Sequence, residues 1–288
     1  MASKLAFETT IVTLGVLAHV APVRVGRFYA RKFCTPARRR ASAWETEILA
    51  GAEVRGHFDG CAYAEWGKGP TILLIHGWEG RGSQLGRFVG PLVEAGFRVV
   101  AWDAPAHGGS EGEITNLARA AEAFSAFASA QGPVYGIVAH SFGGMIARLA
   151  IALGLEVERF VQIASPARVQ QVFDEFTRLV RLPRRAAGAF QNEIEKEAGI
   201  AASEIDALLA HPWPGTASLA IHCRDDSKVS IREAEELVAV TPGFTLREFK
   251  GYGHSRILLA KDVIGVVSRF MERGRSAAPD LTSCAVRL

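Results

Sequence analysis

Apolar and polar positions change rhythm several times along this chain of 288 residues. Between residues 71 and 164, short apolar runs alternate with stretches whose apolar residues recur at helical spacing. Thr71–Ile75, Arg98–Trp102, Val134–Val138 and Phe160–Ala164 are the runs, as expected of strands buried on both faces. Ser83–Ala95, closed by Gly96, then Leu117–Ala130 and Met145–Leu153 carry the helical spacing. Ahead of them Ala52–Phe58 and Cys61–Trp66, joined by Asp59-Gly60, read as a hairpin. The alternation resumes late in the chain with strands Ser218–Cys223 and Phe244–Phe249 and helices Ile231–Val240 and Ile257–Arg273. Repeated strand–helix alternation predicts an α/β fold with a mostly parallel, doubly wound sheet.

The rhythm breaks between Pro166 and Gly215, where no strand-like run occurs. Val169–Leu182 and Gln191–Leu209 read as helices separated by Pro183-Arg184-Arg185. Residues 167–215 are therefore expected to be a helical insertion, a lid over the strand ends. Its apolar stripe (Val169, Val172, Phe173, Phe176, Leu179, Val180) either lines an apolar pocket or packs against the main domain. The core is expected over 51–166 and 216–273, with a loose tail over 274–288.

Residues 1–50 form a separate N-terminal helical and basic segment. Leu5–Val23 is mostly apolar, interrupted by Glu8, and is followed by Arg24, Arg27, Arg31, Lys32, Arg38, Arg39 and Arg40. It reads first as a helix packed on its own domain. The second reading is an interfacial helix with a basic flank, making weak contact with an acidic membrane surface. A secretion signal fits poorly, since only Lys4 precedes the apolar run and no clean small-x-small cleavage pattern follows.

Composition narrows the classes. The chain is 49% apolar, ample for a sizeable core. A net charge of +3 is too mild to imply nucleic acid, and no zinc-finger or RNA-binding motif is present. Cys34, Cys61, Cys223 and Cys284 lie far apart, which suits free thiols in a reducing compartment. A cytoplasmic protein is expected, with peripheral membrane contact as the variant. No set of residues has metal-ligand spacing, and no glycine-rich loop has the Rossmann or P-loop form, so no cofactor is expected.

Ligands of open parallel sheets bind beyond the carboxyl ends of the strands. After Thr71–Ile75 comes His76-Gly77-Trp78-Glu79-Gly80, and after Arg98–Trp102 comes Asp103-Ala104-Pro105-Ala106-His107-Gly108-Gly109-Ser110. After Val134–Val138 comes Ala139-His140-Ser141-Phe142-Gly143-Gly144. The last two strands are followed by Arg224-Asp225-Asp226-Ser227-Lys228-Val229 and Lys250-Gly251-Tyr252-Gly253-His254. A serine, a carboxylate and a histidine thus stand in that order, each just past a strand. A serine hydroxyl needs a base to take its proton, histidine can do so near neutral pH, and a carboxylate fixes the imidazole tautomer. Ser141 sits among small residues at a strand-to-helix turn, the setting of a nucleophile elbow, with Ala139 where the usual pattern has glycine.

These motifs together resemble the α/β-hydrolase family over about Glu53 to Arg273. The resemblance implies an α/β-hydrolase core with Ser141 as nucleophile, His254 as base and Asp226 as acid, with Asp225 its rival. Spacing to Val229 favours Asp226. The backbone N–H groups of Phe142 and Trp78 are the candidates for holding an oxyanion. Cys223 and Ser230 depart from the residues relatives often carry. His76, His107 and Asp103 are expected to brace loops, His140 to pack beside the core and His222 to be a satisfied core histidine. The implied activity is hydrolysis of a carboxylic ester through an acyl-enzyme. Thioester or carbon–carbon hydrolysis and acyl transfer use the same three groups, and a non-catalytic binding module of the same fold would have no need of them.

Overall fold

The computed structural model describes residues 14–210, 213 and 215–273. The expected tail over 274–288, the start of the apolar N-terminal run and Pro212 and Pro214 lie outside them.

Eight strands form one sheet: β1 (Val54–Phe58), β2 (Cys61–Trp66), β3 (Thr71–Ile75), β4 (Arg98–Trp102), β5 (Val134–His140), β6 (Arg159–Ile163), β7 (Ala217–Cys223) and β8 (Phe244–Phe249). Their spatial order is β1-β2-β4-β3-β5-β6-β7-β8. The β1–β2 and β2–β4 pairs are antiparallel and every other pair is parallel. The order reverses around β3, so β3 and β5 are neighbours at the centre and the loops after them open side by side.

The unbroken apolar runs are explained by two cores. Leu73, Ile75, Val100 and Trp102 point to one face of the sheet, and Ile72, Leu74, Val99 and Ala101 to the other. All eight are buried, and each large one contributes about 1.5–3 kcal/mol by leaving water.

Among the described residues the helices are 14–20, α1 (Pro22–Phe33), α2 (Ala43–Ala50), α3 (Val89–Glu94), α4 (Leu117–Ala130), α5 (Phe142–Ala152), α6 (Val169–Leu179), α7 (Arg184–Ala198), α8 (Ala202–Leu209), α9 (Ile231–Val240), α10 (Gly253–Arg256) and α11 (Lys261–Glu272). Side-chain caps start several of them. Asn116 accepts from the Arg119 N–H at α4, and Ser42 and Glu45 form a capping box at α2.

Several elements differ from their expected form: the helix expected over Ile257–Arg273 is a 3₁₀ turn, Ile257–Leu259, followed by α11. The stretch read as one helix over 83–95 is a 3₁₀ segment, Gly82–Phe88, followed by the short α3. The helix expected from Gln191 starts at Arg184, directly after Pro183, and stops at Ala198. Gly199 takes the left-handed conformation (φ 71°) that ends it, and α8 restarts three residues later. Helix α5 begins immediately after Ser141 rather than at Met145.

Helices α6, α7 and α8 stand between β6 and β7, beside the carboxyl ends of the strands. Helix α1 packs directly on α7. A Cβ at Gly26 would lie 2.7 Å from the Ala186 carbonyl oxygen and 2.8 Å from the Phe190 nitrogen, so only glycine permits this approach.

Candidate active site

Ser141 is the residue between β5 and α5, with φ 52° and ψ −120°. That conformation is strained for any residue with a Cβ, at a cost of about 1–3 kcal/mol. The surroundings hold it there. The Ser141 N–H donates to the Ile163 carbonyl at 2.9 Å, and the Gly144 N–H donates to Ser141 O at 2.9 Å. A Cβ at Gly143 would lie 2.6 Å from the carbonyl oxygens of Ile75 and His76, and one at Gly144 2.5 Å from Ser165 Oγ. Both glycines let α5 press its N-terminus onto the sheet. The positive end of the α5 dipole thus lies beside Ser141 Oγ.

Ser141, His254 and Asp226 form one hydrogen-bonded chain. Ser141 Oγ donates to His254 Nε2 at 3.1 Å, and His254 Nδ1–H donates to Asp226 Oδ2 at 2.8 Å. The tautomer follows from the partners: a carboxylate on Nδ1 leaves Nε2 as the acceptor. Asp226 Oδ1 also accepts the N–H groups of Lys228 (2.8 Å) and Val229 (3.0 Å). Burial works against its charge. The bonds from His254, Val229 and Lys228 outweigh burial and hold its pKa below the ordinary carboxylate value. Asp225 points elsewhere, accepting the Gly251 N–H at 2.7 Å from an exposed position.

The loop after β3 passes close to the serine. A Cβ at Gly77 would lie 3.0 Å from Ser141 Cβ. Gly77 O accepts both the Gly80 N–H and His76 Nδ1–H, closing a tight turn at Trp78. The Trp78 and Phe142 rings meet edge to face, 5.1 Å apart. Among the described residues the Trp78 N–H has no backbone acceptor, and Phe142 stands at the first position of α5, where no intrahelical acceptor exists.

The other histidines brace this arrangement. His76 Nε2 accepts the Ala104 N–H at 3.0 Å, and burial lowers its pKa to about 4. His107 lies against Pro105 O at 3.0 Å and is likewise lowered to about 4 by burial. Asp103 accepts the Gly82 and Gly109 N–H groups, tying the loop after β4 to the segment after β3. His222 donates Nε2–H to the Val229 carbonyl at 2.9 Å, which fixes the loop carrying Asp226, and it sits 3.5 Å from Asp226 Oδ2.

Two residues have site roles that the sequence did not disclose. His140 Nε2–H donates to the backbone carbonyl of His254 at 2.9 Å, so it anchors the histidine-bearing loop instead of merely packing. Burial, with His254 nearby, lowers its pKa to about 3 and keeps it neutral. The signal available was a polar residue inside an otherwise apolar run. The second residue is Phe33, from α1. Its ring stacks on Trp78 at 6.2 Å and meets Phe173, Phe176 and Phe190 edge to face at 4.9–5.7 Å.

A cavity of about 350 Å³ opens from Ser141 and His254 toward the α6–α8 helices. Phe33, Leu117, Phe142, Met145, Val169, Val172, Phe173, Ile194, Ile200 and Ile205 form its apolar wall. Trp78, Glu79, Asn116, Glu175 and Lys228 add polar atoms. The apolar stripe of α6 therefore divides. Val169, Val172 and Phe173 face the cavity, Phe176 and Val180 pack, and Leu179 is 64% exposed. Helix α6 is positioned from below: Arg148, fully buried, donates to the carbonyls of Pro166 and Ala167, and Glu233 accepts the Ala167 N–H at 2.8 Å. Among the described residues no three His, Cys, Asp or Glu side chains are grouped as a metal ion would need.

A model of the alpha/beta hydrolase family matches residues 72–266. No curated protein matches the chain. Among solved structures, the chain is similar to a carboxylesterase of the thaumarchaeon Nitrososphaera gargenis (17% identity, TM-score 0.57, 76% of this chain and 97% of that one). It is also similar to a meta-cleavage product hydrolase of Pseudomonas fluorescens (20% identity, TM-score 0.56, 74% and 94%). A third likeness, to a membrane phospholipase A that is a bacterial virulence factor, spans 96% of this chain and all of that one, at 18% identity and TM-score 0.58. At such identities the likeness is one of fold.

Proposed function

The chain belongs to the alpha/beta hydrolase family, and from that premise we propose that it is a serine hydrolase that cleaves carboxylic esters of apolar acids through an acyl-enzyme. The observation that carries this reading is the unbroken Ser141–His254–Asp226 hydrogen-bond chain at the mouth of an apolar cavity.

Ser141 Oγ attacks the acyl carbon while His254 Nε2 takes its proton. Asp226 keeps the imidazole in the productive tautomer and stabilises it once charged. The oxygen that gains negative charge faces the N–H groups of Phe142 and Trp78, each such donor being worth about 3–4 kcal/mol in the barrier. His254 then protonates the departing alkoxide. Water, deprotonated by the same nitrogen, releases the acid and restores Ser141. The α6–α8 helices act as a lid, and the cavity beneath them holds the acyl chain.

Hydrolysis of p-nitrophenyl esters of graded chain length, by wild type and Ser141→Ala, tests the reading. Turnover that Ser141→Ala abolishes supports it. The similar carboxylesterase favours ester cleavage, and the similar meta-cleavage product hydrolase makes carbon–carbon cleavage the alternative, so a vinylogous diketone and a thioester belong in the panel. Covalent uptake of a fluorophosphonate without ester turnover would keep the serine chemistry and reject the substrate class.

A further inference from the structure

Residues 14–33 are two-faced. Ala18, Val25, Tyr29 and Ala30 are buried against the protein, at helical spacing. The opposite face carries Val16, Leu17, Val20, Val23 and Phe28, with Val16 70% and Val20 79% exposed. Ten large hydrophobic side chains are exposed among the described residues, and these five fall within thirteen positions. Scattered singly such residues are ordinary, but a contiguous set marks a contact surface.

The charge on that segment has one sign. Arg24, Arg27, Arg31 and Lys32 are exposed on the same segment, which has no acidic residue between positions 14 and 33. Only Arg27 among them has a carboxylate partner, Glu193. Around the C-terminus of α6, Arg178, Arg181, Arg184 and Arg185 are exposed beside the uncovered Leu179. His19, Arg178 and Arg181 line one shallow cleft together with a single acid, Asp174, so the two basic groups belong to one surface on which cations predominate. Along the segment, the apolar residues come first and the cations follow.

We propose that this face docks on an anionic phospholipid bilayer, lying in its interface. Val16, Leu17, Val20 and Val23 enter the acyl boundary, and the arginines remain at the headgroup level. The opposite face is buried against α7, so the segment lies along the membrane as part of the folded domain. No helix among the described residues is long and apolar enough to cross a membrane.

Flotation of the full chain with vesicles tests this, using phosphatidylcholine alone and an equal mixture with phosphatidylglycerol. Binding is expected to the mixed vesicles and not the neutral ones, and to weaken as salt rises. Val20→Asp with Val23→Asp should abolish it. Arg24→Glu with Arg31→Glu should weaken it by about thirtyfold or more, each lost cation contributing a factor of about five. Circular dichroism and melting temperature report folding of both variants, independently of any catalytic reading. Absence of wild-type flotation with either vesicle, or equal flotation by both folded variants, would overturn the proposal. So would a wild-type dimer, seen by sedimentation velocity, that the valine pair dissociates while no vesicle is bound, since a second copy would then be the occupant.

Discussion

His140 holds His254 by its backbone: the Nε2–H of one donates to the carbonyl of the other at 2.9 Å. The residue before the proposed nucleophile therefore sets the position of the proposed base. His140→Phe keeps the ring volume and removes the donor. The expected result is a kcat about tenfold lower with KM little changed, because a misplaced base acts on the transition state more than on binding. Steady-state kinetics on a p-nitrophenyl ester checks it. An unchanged kcat would leave His140 a packing residue.

Asp226 and Asp225 are neighbours with different tasks. Asp226→Asn should lower kcat by about 10³–10⁴-fold, since an amide cannot hold the same imidazole tautomer. Asp225→Asn changes kcat by no more than about twofold, as its carboxylate bonds the Gly251 N–H and Cys223 rather than His254. The two variants assayed side by side separate the roles, and a reversed ranking would move the acid to Asp225.

Phe33 closes one side of the cavity. Phe33→Ala should lengthen the preferred acyl chain and raise KM for short esters, because the space it vacates lies next to Trp78 and Phe173. A chain-length profile that stays superimposable on wild type would show that the ring is not a specificity determinant.

Burial raises Glu233 to about 7 from the ordinary 4.5. Between those values the folded protein keeps a proton that the unfolded chain has lost, so stability falls as pH rises through that window. Asp226 acts in the opposite sense. Its depressed pKa gives stability above the ordinary carboxylate value that is lost as pH falls. Glu233→Gln keeps an acceptor for the Ala167 N–H and removes the titration. Its melting temperature should decline less than that of wild type from about pH 5 to pH 7. Parallel curves would count against the raised value.

The sheet was legible because buried parallel strands are unbroken apolar runs, as in Thr71–Ile75 and Val134–Val138. The candidate site was legible for a related reason: Ser141, Asp226 and His254 each follow a strand directly, so the topology alone gathers them. The N-terminal segment reads first as a helix packed on its own domain. Spacing says nothing about what covers a face, so the meeting of α1 with α7, and of Phe33 with Trp78, could not be read from it. The break at Gly199 escaped notice because apolar spacing continues across Ile200 and Ile205. A helix start at Arg184 was hidden by treating Pro183-Arg184-Arg185 as a separator, although proline is at home just before a first turn.

The family match begins at residue 72, yet one wall of the cavity belongs to Phe33. The proposed chemistry thus rests on loops that follow the strands, and part of the cavity's shape on a segment that joins no strand. Substitutions there can reshape the cavity without disturbing the elbow or the central strands. The same separation means that a version of the chain trimmed to the family boundaries would lose a side of its own cavity.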